Sequence, residues 1–204
     1  GTNPLTYLTL RSALAALLVL IIILMTRRSL RMPPRRRFAA LALGAILALH
    51  SYGLLAAIQF IPVALAILIF YTFPLLTSVY TWVSGRERPT ILSVAALLVA
   101  FAGLGLALDI RGGQLDVQGV ALATMAALGM TVVVLLNDRL VGSEDSHPIT
   151  LHMMLSATVL CGLITLLRGD FALPQTSTSW AGLAVGTSFY AVAIVTVFIA
   201  MSLA

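Results

Sequence analysis

Between Phe38 and Val83 the chain carries no Asp, Glu, Lys or Arg, and nearly every residue is apolar. Wound as one helix, this run would reach about 70 Å, roughly twice a hydrocarbon core of ~30 Å. It must therefore cross a bilayer, turn, and cross back. The turn falls at Gln59-Phe60-Ile61-Pro62. Proline lacks an N–H and suits the opening of a helix, so Ile61-Pro62 begins the return span.

The rest of the chain is of the same kind. Hydrophobic residues make up 60%, charged residues 9%, and the mean hydropathy is +1.07, which a water-soluble domain of this size cannot carry. Windows of about 20 apolar residues predict seven spans. They are A near 5–26, B 38–59, C 62–83, D 90–108, E 118–136, F 149–167 and G 180–203. The fold class expected is an all-α polytopic membrane protein.

All twelve cations are arginine, and their distribution orients the spans. Six lie between Arg27 and Arg37, two are Arg86 and Arg88, and one is Arg139, all in alternate loops; the opposite loops hold only Arg111 and Arg168. The positive-inside rule then makes loops 27–37, 84–89 and 137–148 cytoplasmic. The net charge of +5 belongs to these loops, not to a nucleic-acid surface. Helix A would start outside without a leading charge, which suggests a missing preceding helix.

An internal repeat supports that suggestion. Pro4-Leu5-Thr6 with Ser12-Ala13 recurs as Pro148-Ile149-Thr150 with Ser156-Ala157, and Ala57-Ile58 has a counterpart in Ala200-Met201. Pairs A–B and F–G then correspond. Three helices lie between the copies, so A and F run in opposite directions and the repeat is inverted, as in many transporters. Each half would hold five helices, with one absent here at the start and two at the end.

Four motifs in order carry a family resemblance. They are Asn3-Pro4-Leu5-Thr6 with Leu10-Arg11-Ser12-Ala13-Leu14-Ala15-Ala16, then Ala57-Ile58-Gln59-Phe60-Ile61-Pro62-Val63-Ala64, Tyr71-Thr72-Phe73-Pro74-Leu75 and Gly85-Arg86-Glu87-Arg88-Pro89. Together they resemble the EamA-type drug/metabolite transporter superfamily. That resemblance implies ten helices in two inverted five-helix repeats, of which residues 1–110 would be the first without its first helix and 111–204 the second without its last two. It also implies alternating access, export or exchange of small metabolites, and a multi-pass place in a cell membrane, with a bacterial inner membrane expected. The partners expected are a small-molecule metabolite and the lipid bilayer, with a homodimer left open. No cofactor, no metal and no enzyme activity are expected.

Polar groups inside the spans are the candidate substrate-binding residues, because such groups are expensive in lipid. Arg11 lies about 9 Å inside the outer end of helix A; it would meet substrate or act in a gate, or else snorkel outward or tie helices together. His50 and Tyr52, with Ser51 between them, break helix B near its middle, either lining a cavity or bonding between helices. Tyr71, Pro74 and Ser78 share one face of helix C by i, i+3, i+7 spacing, and Pro74 frees the carbonyl of Phe70. Ser188 and Tyr190, together with Thr124 and Thr131, could face the same cavity or pack between helices.

Other features read as structural. Glu87 suits the N-terminus of helix D as a cap, Trp82 and Trp180 suit membrane interfaces, and Gly182 with Gly186, like Gly103 with Gly105, suits close helix packing. His147 and His152, five apart, miss the i, i+4 spacing of a helical metal pair. Cys161 is alone, so an intrachain disulfide is excluded. No acidic residue lies mid-span.

Competing functions fare worse. A retinal protein needs a lysine, and there is none. An intramembrane serine protease would need an activated serine; Gly186-Thr187-Ser188-Phe189 lacks the second glycine of a nucleophile elbow. A non-transporting membrane scaffold is the remaining alternative.

Overall fold

The computed structural model describes residues 3–27, 29–85, 90–107, 116–141, 146–169 and 171–203. Glu87, with Arg86, Arg88, Asp109, Arg111, Glu144, Asp145 and Asp170, lies outside the described residues, and so does the cap expected of Glu87. The described residues contain helices and no strand: α1 Pro4–Met25, α2 Pro34–Ala57, α3 Val63–Phe70, α4 Phe73–Val83, α5 Ile91–Ala107, α6 Val117–Val141, α7 Ser146–Arg168 and α8 Ser177–Leu203.

Helix ends follow local chemistry. The side chain of Asn3 accepts from the Leu5 N–H at 3.1 Å, and Pro4 fills the first helical position of α1, where its missing N–H costs nothing. Asp116 caps α6 by accepting from the Gln118 N–H at 2.7 Å. Thr176 caps α8 through the Ser179 N–H. Gly169 ends α7 at φ 65°, the left-handed conformation that glycine adopts without a Cβ penalty.

Helix α2 starts a turn earlier than the hydropathy pattern predicts, at Pro34, so Arg35, Arg36 and Arg37 lie in its first turn. Three cations at a helix N-terminus oppose the macrodipole. The backbone condition outweighs this, since proline is preorganised for a first helical position. After Ala57 the chain turns through Gln59 and Phe60, whose N–H groups bond to the carbonyls of Ala56 and Ala57. Pro62 then stands as the N-cap of α3, one position outside the helix it opens.

The third predicted span is two helices. Residues Val63–Val83 form one apolar run of 21 residues, but α3 stops at Phe70 and α4 begins at Phe73. Pro74 cannot donate to the carbonyl of Phe70, and its ring crowds that carbonyl. Thr72 bridges the gap: its hydroxyl donates to the Ile69 carbonyl at 2.7 Å, and its own carbonyl accepts from the Leu76 N–H.

Counting Val63–Val83 as one, five helical runs among the described residues are long and apolar enough to cross a membrane. Helix α5 has 17 residues and α8 has 27. Lipid as the surrounding solvent accounts for side chains such as Ile91, 91% exposed, and Phe189, 73% exposed.

The chain forms two compact units, Gly1–Ala48 with Leu136–Ala204, and Leu49–Leu135. In the first, α1 packs against α7 and α8. Thr6, at the start of α1, accepts from the N–H of Ala172, just past the end of α7, while Thr9 meets Gly162 further back along α7. Helices α1 and α7 are therefore antiparallel. Tyr7 and Arg11 meet Gly186 and Tyr190 in rising order, so α8 runs parallel to α1. In the second unit, Ala57, Ile61, Ala66 and Ala123 form a core in which small side chains let α2, the turn, α3 and α6 approach closely.

Candidate functional site

The predicted polar residues divide between the two units. In the first, the guanidinium carbon of Arg11 lies 3.9 Å from the centroid of the Tyr190 ring and 5.8 Å from that of Tyr7. Two aromatic faces from α1 and α8 thus hold a cation inside an apolar helix pair. Such stacking contributes about 0.5–2 kcal/mol, the larger values where water is excluded. It uses the face of the planar group, whose N–H donors lie in the plane, an edge of the shape that matches a carboxylate. Gly186 admits Tyr7: a Cβ there would come within 2.7 Å of the Tyr7 hydroxyl.

Beside this group lies an apolar groove of about 390 Å³ lined by Leu10, Leu14, Leu17, Trp180 and Leu183, among others. Its one polar liner, Thr187, gives its hydroxyl to the Leu183 carbonyl at 2.7 Å. The groove, which Arg11 does not itself line, is apolar enough to hold a hydrocarbon portion of a ligand.

In the second unit, the His50 ring stacks on Phe70 with centroids 5.9 Å apart and planes 7° apart. Phe70 meets Tyr71 edge-on at 5.7 Å and Phe73 at 5.4 Å. Four rings therefore gather at the break between α3 and α4. Gly129 of α6 makes room, since a Cβ there would lie 2.8 Å from the Cβ of His50. Thr131, also on α6, donates to the Ala127 carbonyl at 2.9 Å and lies 3.4 Å from the carbonyl of Phe73. His50 is buried, with Nε2 at 3.4 Å from the Ser51 hydroxyl.

Not every candidate joins these groups. Ser188 is exposed; two residues from Tyr190, it points to the other side of α8. Tyr52 is half-buried and likewise two residues from His50 on α2. Tyr71, 48% exposed, belongs to the break, whereas Pro74 and Ser78 lie on α4, so the single helical face expected for all three is interrupted. Thr124 is exposed and turns its hydroxyl back to the Val120 carbonyl.

Of the glycines predicted to pack closely, Gly186 does so, against Tyr7, whereas a Cβ at Gly182 or Gly103 would meet no described atom within 4 Å. A further close approach is at Gly44 of α2, where a Cβ would lie 2.7 Å from the Ser156 Cβ and against the Met153 carbonyl. There the Ser156 hydroxyl donates to the Leu41 carbonyl at 2.7 Å.

Sequence reasoning missed Tyr7 and Phe70. Tyr7 stands four residues before Arg11, the spacing that places both on one helix face. Phe70 was legible as the residue whose carbonyl Pro74 frees, but its ring contact with His50 depends on packing between helices.

Apolar spans that carry a half-buried cation, a buried imidazole and a broken helix define a polytopic α-helical membrane protein with polar groups set inside its spans. The model of the EamA-like transporter family matches residues 1–108, just over half of the chain, and the chain belongs to that family. No curated protein and no solved structure matches it.

Proposed function

We propose that the chain moves a small polar or amphipathic metabolite across a cell membrane by alternating access, as an exporter or exchanger, with Arg11 as the charged recognition group. The observation that carries this reading is the guanidinium of Arg11 stacked 3.9 Å from Tyr190 in an otherwise apolar helix pair. A metabolite bearing a carboxylate fits best, its acid on the Arg11 fork and its apolar part in the groove beside Leu14 and Leu183. His50, Tyr71 and Pro74 would serve as a conformational element, because a broken helix flanked by aromatic rings can bend as the cavity changes sides. Tyr52, Ser78 and Ser188 remain proposed substrate contacts.

A ten-helix inverted repeat is part of the proposal. The antiparallel course of α1 and α7 supports it, and Thr6 and Thr150, equivalent under the repeat, are both fully buried. Loops 27–37, 84–89 and 137–148 would face the cytoplasm at a bacterial inner membrane, following the arginine distribution.

Counterflow into proteoliposomes preloaded with unlabelled amino-acid derivatives and other carboxylate metabolites tests the reading. Saturable exchange of at least one, abolished by Arg11→Ala, is expected. Exchange unchanged by Arg11→Ala would remove Arg11 from recognition, and absence of exchange for every compound would contradict transport by this chain.

A further inference from the structure

The segment joining α1 to α2 carries six arginines from Arg27 to Arg37 and no acidic residue. It also frames a cavity of about 220 Å³ within the first unit. Arg31, Arg36 and Ser29 line one part of that cavity; Met32, Pro33 and Ile149 line the other. Two helices begin there, α2 at Pro34 and α7 at Ser146, and each adds the positive end of its dipole.

Its depth is set by the spans around it. Helix α1 ends its apolar run at Met25, and the run of α7 begins at His147, so the cavity lies where hydrocarbon gives way to water. Apolar side chains flank it on the outside: Leu30 is 43% exposed and Phe38 is 76% exposed. A basic cavity with apolar flanks at this level suits a molecule that is anionic at one end and greasy at the other. The volume is below the roughly 300 Å³ at which drug-sized ligand sites begin, which argues against a second metabolite site.

We propose that this cavity binds the head group of an anionic phospholipid. Arg31 and Arg36 bring two guanidinium groups to the cavity wall, cations whose planar donor geometry suits phosphate oxygens. The Ser29 hydroxyl accepts from the Arg31 N–H at 3.1 Å, which leaves its proton to donate to the same phosphate. Met32, Pro33 and Ile149 cover the glycerol and the first acyl carbons. Arg37 does not line the cavity: its Nε lies 3.4 Å from Nε2 of His152, whose Nδ1 is 2.7 Å from the Pro148 carbonyl. Arg27 and Arg35, both exposed, do not line the cavity. A lipid held here would brace the starts of α2 and α7 against each other.

Native mass spectrometry of the whole chain, taken from membranes with equal phosphatidylglycerol and phosphatidylcholine, tests the proposal without reference to transport. Both leaflets are alike in such membranes, so it also tests it without reference to orientation. The chain should retain phosphatidylglycerol in preference to phosphatidylcholine. The pair R31Q/R36Q should lower that retention about tenfold or more, whereas R27Q/R35Q, which removes the same charge outside the cavity, should lower it less than about threefold. M32W, which fills the cavity and keeps every charge, should also lower retention and serves if the double variant does not fold. Equal losses from the two pairs would mean diffuse attraction to the membrane and overturn the site, as would full retention by M32W or no preference in the parent chain. Displacement of the lipid by inorganic phosphate would make the occupant a soluble anion and overturn the lipid assignment.

Discussion

Arg11 is the one cation inside a predicted span, and that made it visible in the sequence. Its aromatic partners were less so: Tyr190 stood out only as one of several polar groups on the last span, and Tyr7 was passed over. Pairing across helices depends on how α1 and α8 are rotated, which hydropathy does not encode. The geometry makes the tyrosines separable by chemistry. Tyr190→Phe keeps the ring face and should leave the thermal unfolding midpoint nearly unchanged, whereas Tyr190→Leu removes the cation–π contact and should lower stability by about 0.5–2 kcal/mol. Gly129 permits a second residue-scale prediction. Gly129→Val would drive a side chain into the Cβ of His50 and should destabilise the fold by about 1–3 kcal/mol, the usual cost of overpacking. Gly182→Val meets no described atom and should stay within about 0.5 kcal/mol of the parent. Equal effects of the two glycine changes in denaturant or heat unfolding would contradict the packing around His50.

At the scale of elements, the charge-free run from Phe38 to Val83 was legible as two spans because the bilayer dictates their length. The break inside the second was legible only in part. Pro74 announced a lost hydrogen bond, but whether a proline kinks a helix or divides it depends on what holds the neighbouring groups. Here Thr72 takes the carbonyl of Ile69 and the rings of Phe70, Tyr71 and Phe73 pack over the gap. The early start of α2 was hidden for a related reason, since arginines at a helix N-terminus look like loop until Pro34 is given weight. Pro74→Ala restores an N–H that can reach the Phe70 carbonyl. The expected outcome is a continuous helix with slowed amide exchange at positions 74–76, together with reduced transport if bending at the break is needed. Unprotected amides there in Pro74→Ala would mean that the aromatic packing, not the proline, divides α3 from α4.

For the molecule as a whole, composition alone excluded a soluble protein, and the arginine distribution led to an orientation. The repeat between Pro4-Leu5-Thr6 and Pro148-Ile149-Thr150 led to the expectation of opposed helices, and α1 and α7 are antiparallel. The grouping of polar residues was not legible, because residues far apart in sequence share a unit while neighbours such as His50 and Tyr52 point apart. The proposed orientation has a direct check in a Cys161→Ala background: single cysteines at Ser29 and Thr176 should react with impermeant reagents from opposite faces, and labelling of both from one face would contradict it. The central claim is that Arg11 recognises the transported metabolite. Scintillation proximity binding of labelled carboxylate metabolites to the chain in lipid nanodiscs tests it most directly, with Arg11→Ala compared against Arg168→Ala. Loss of a charge-assisted hydrogen bond costs about 1.5–3 kcal/mol, so Arg11→Ala should weaken binding at least about tenfold while Arg168→Ala leaves it unchanged. Equal affinity in the parent and Arg11→Ala, or no binding of any carboxylate by the parent chain, would contradict the account.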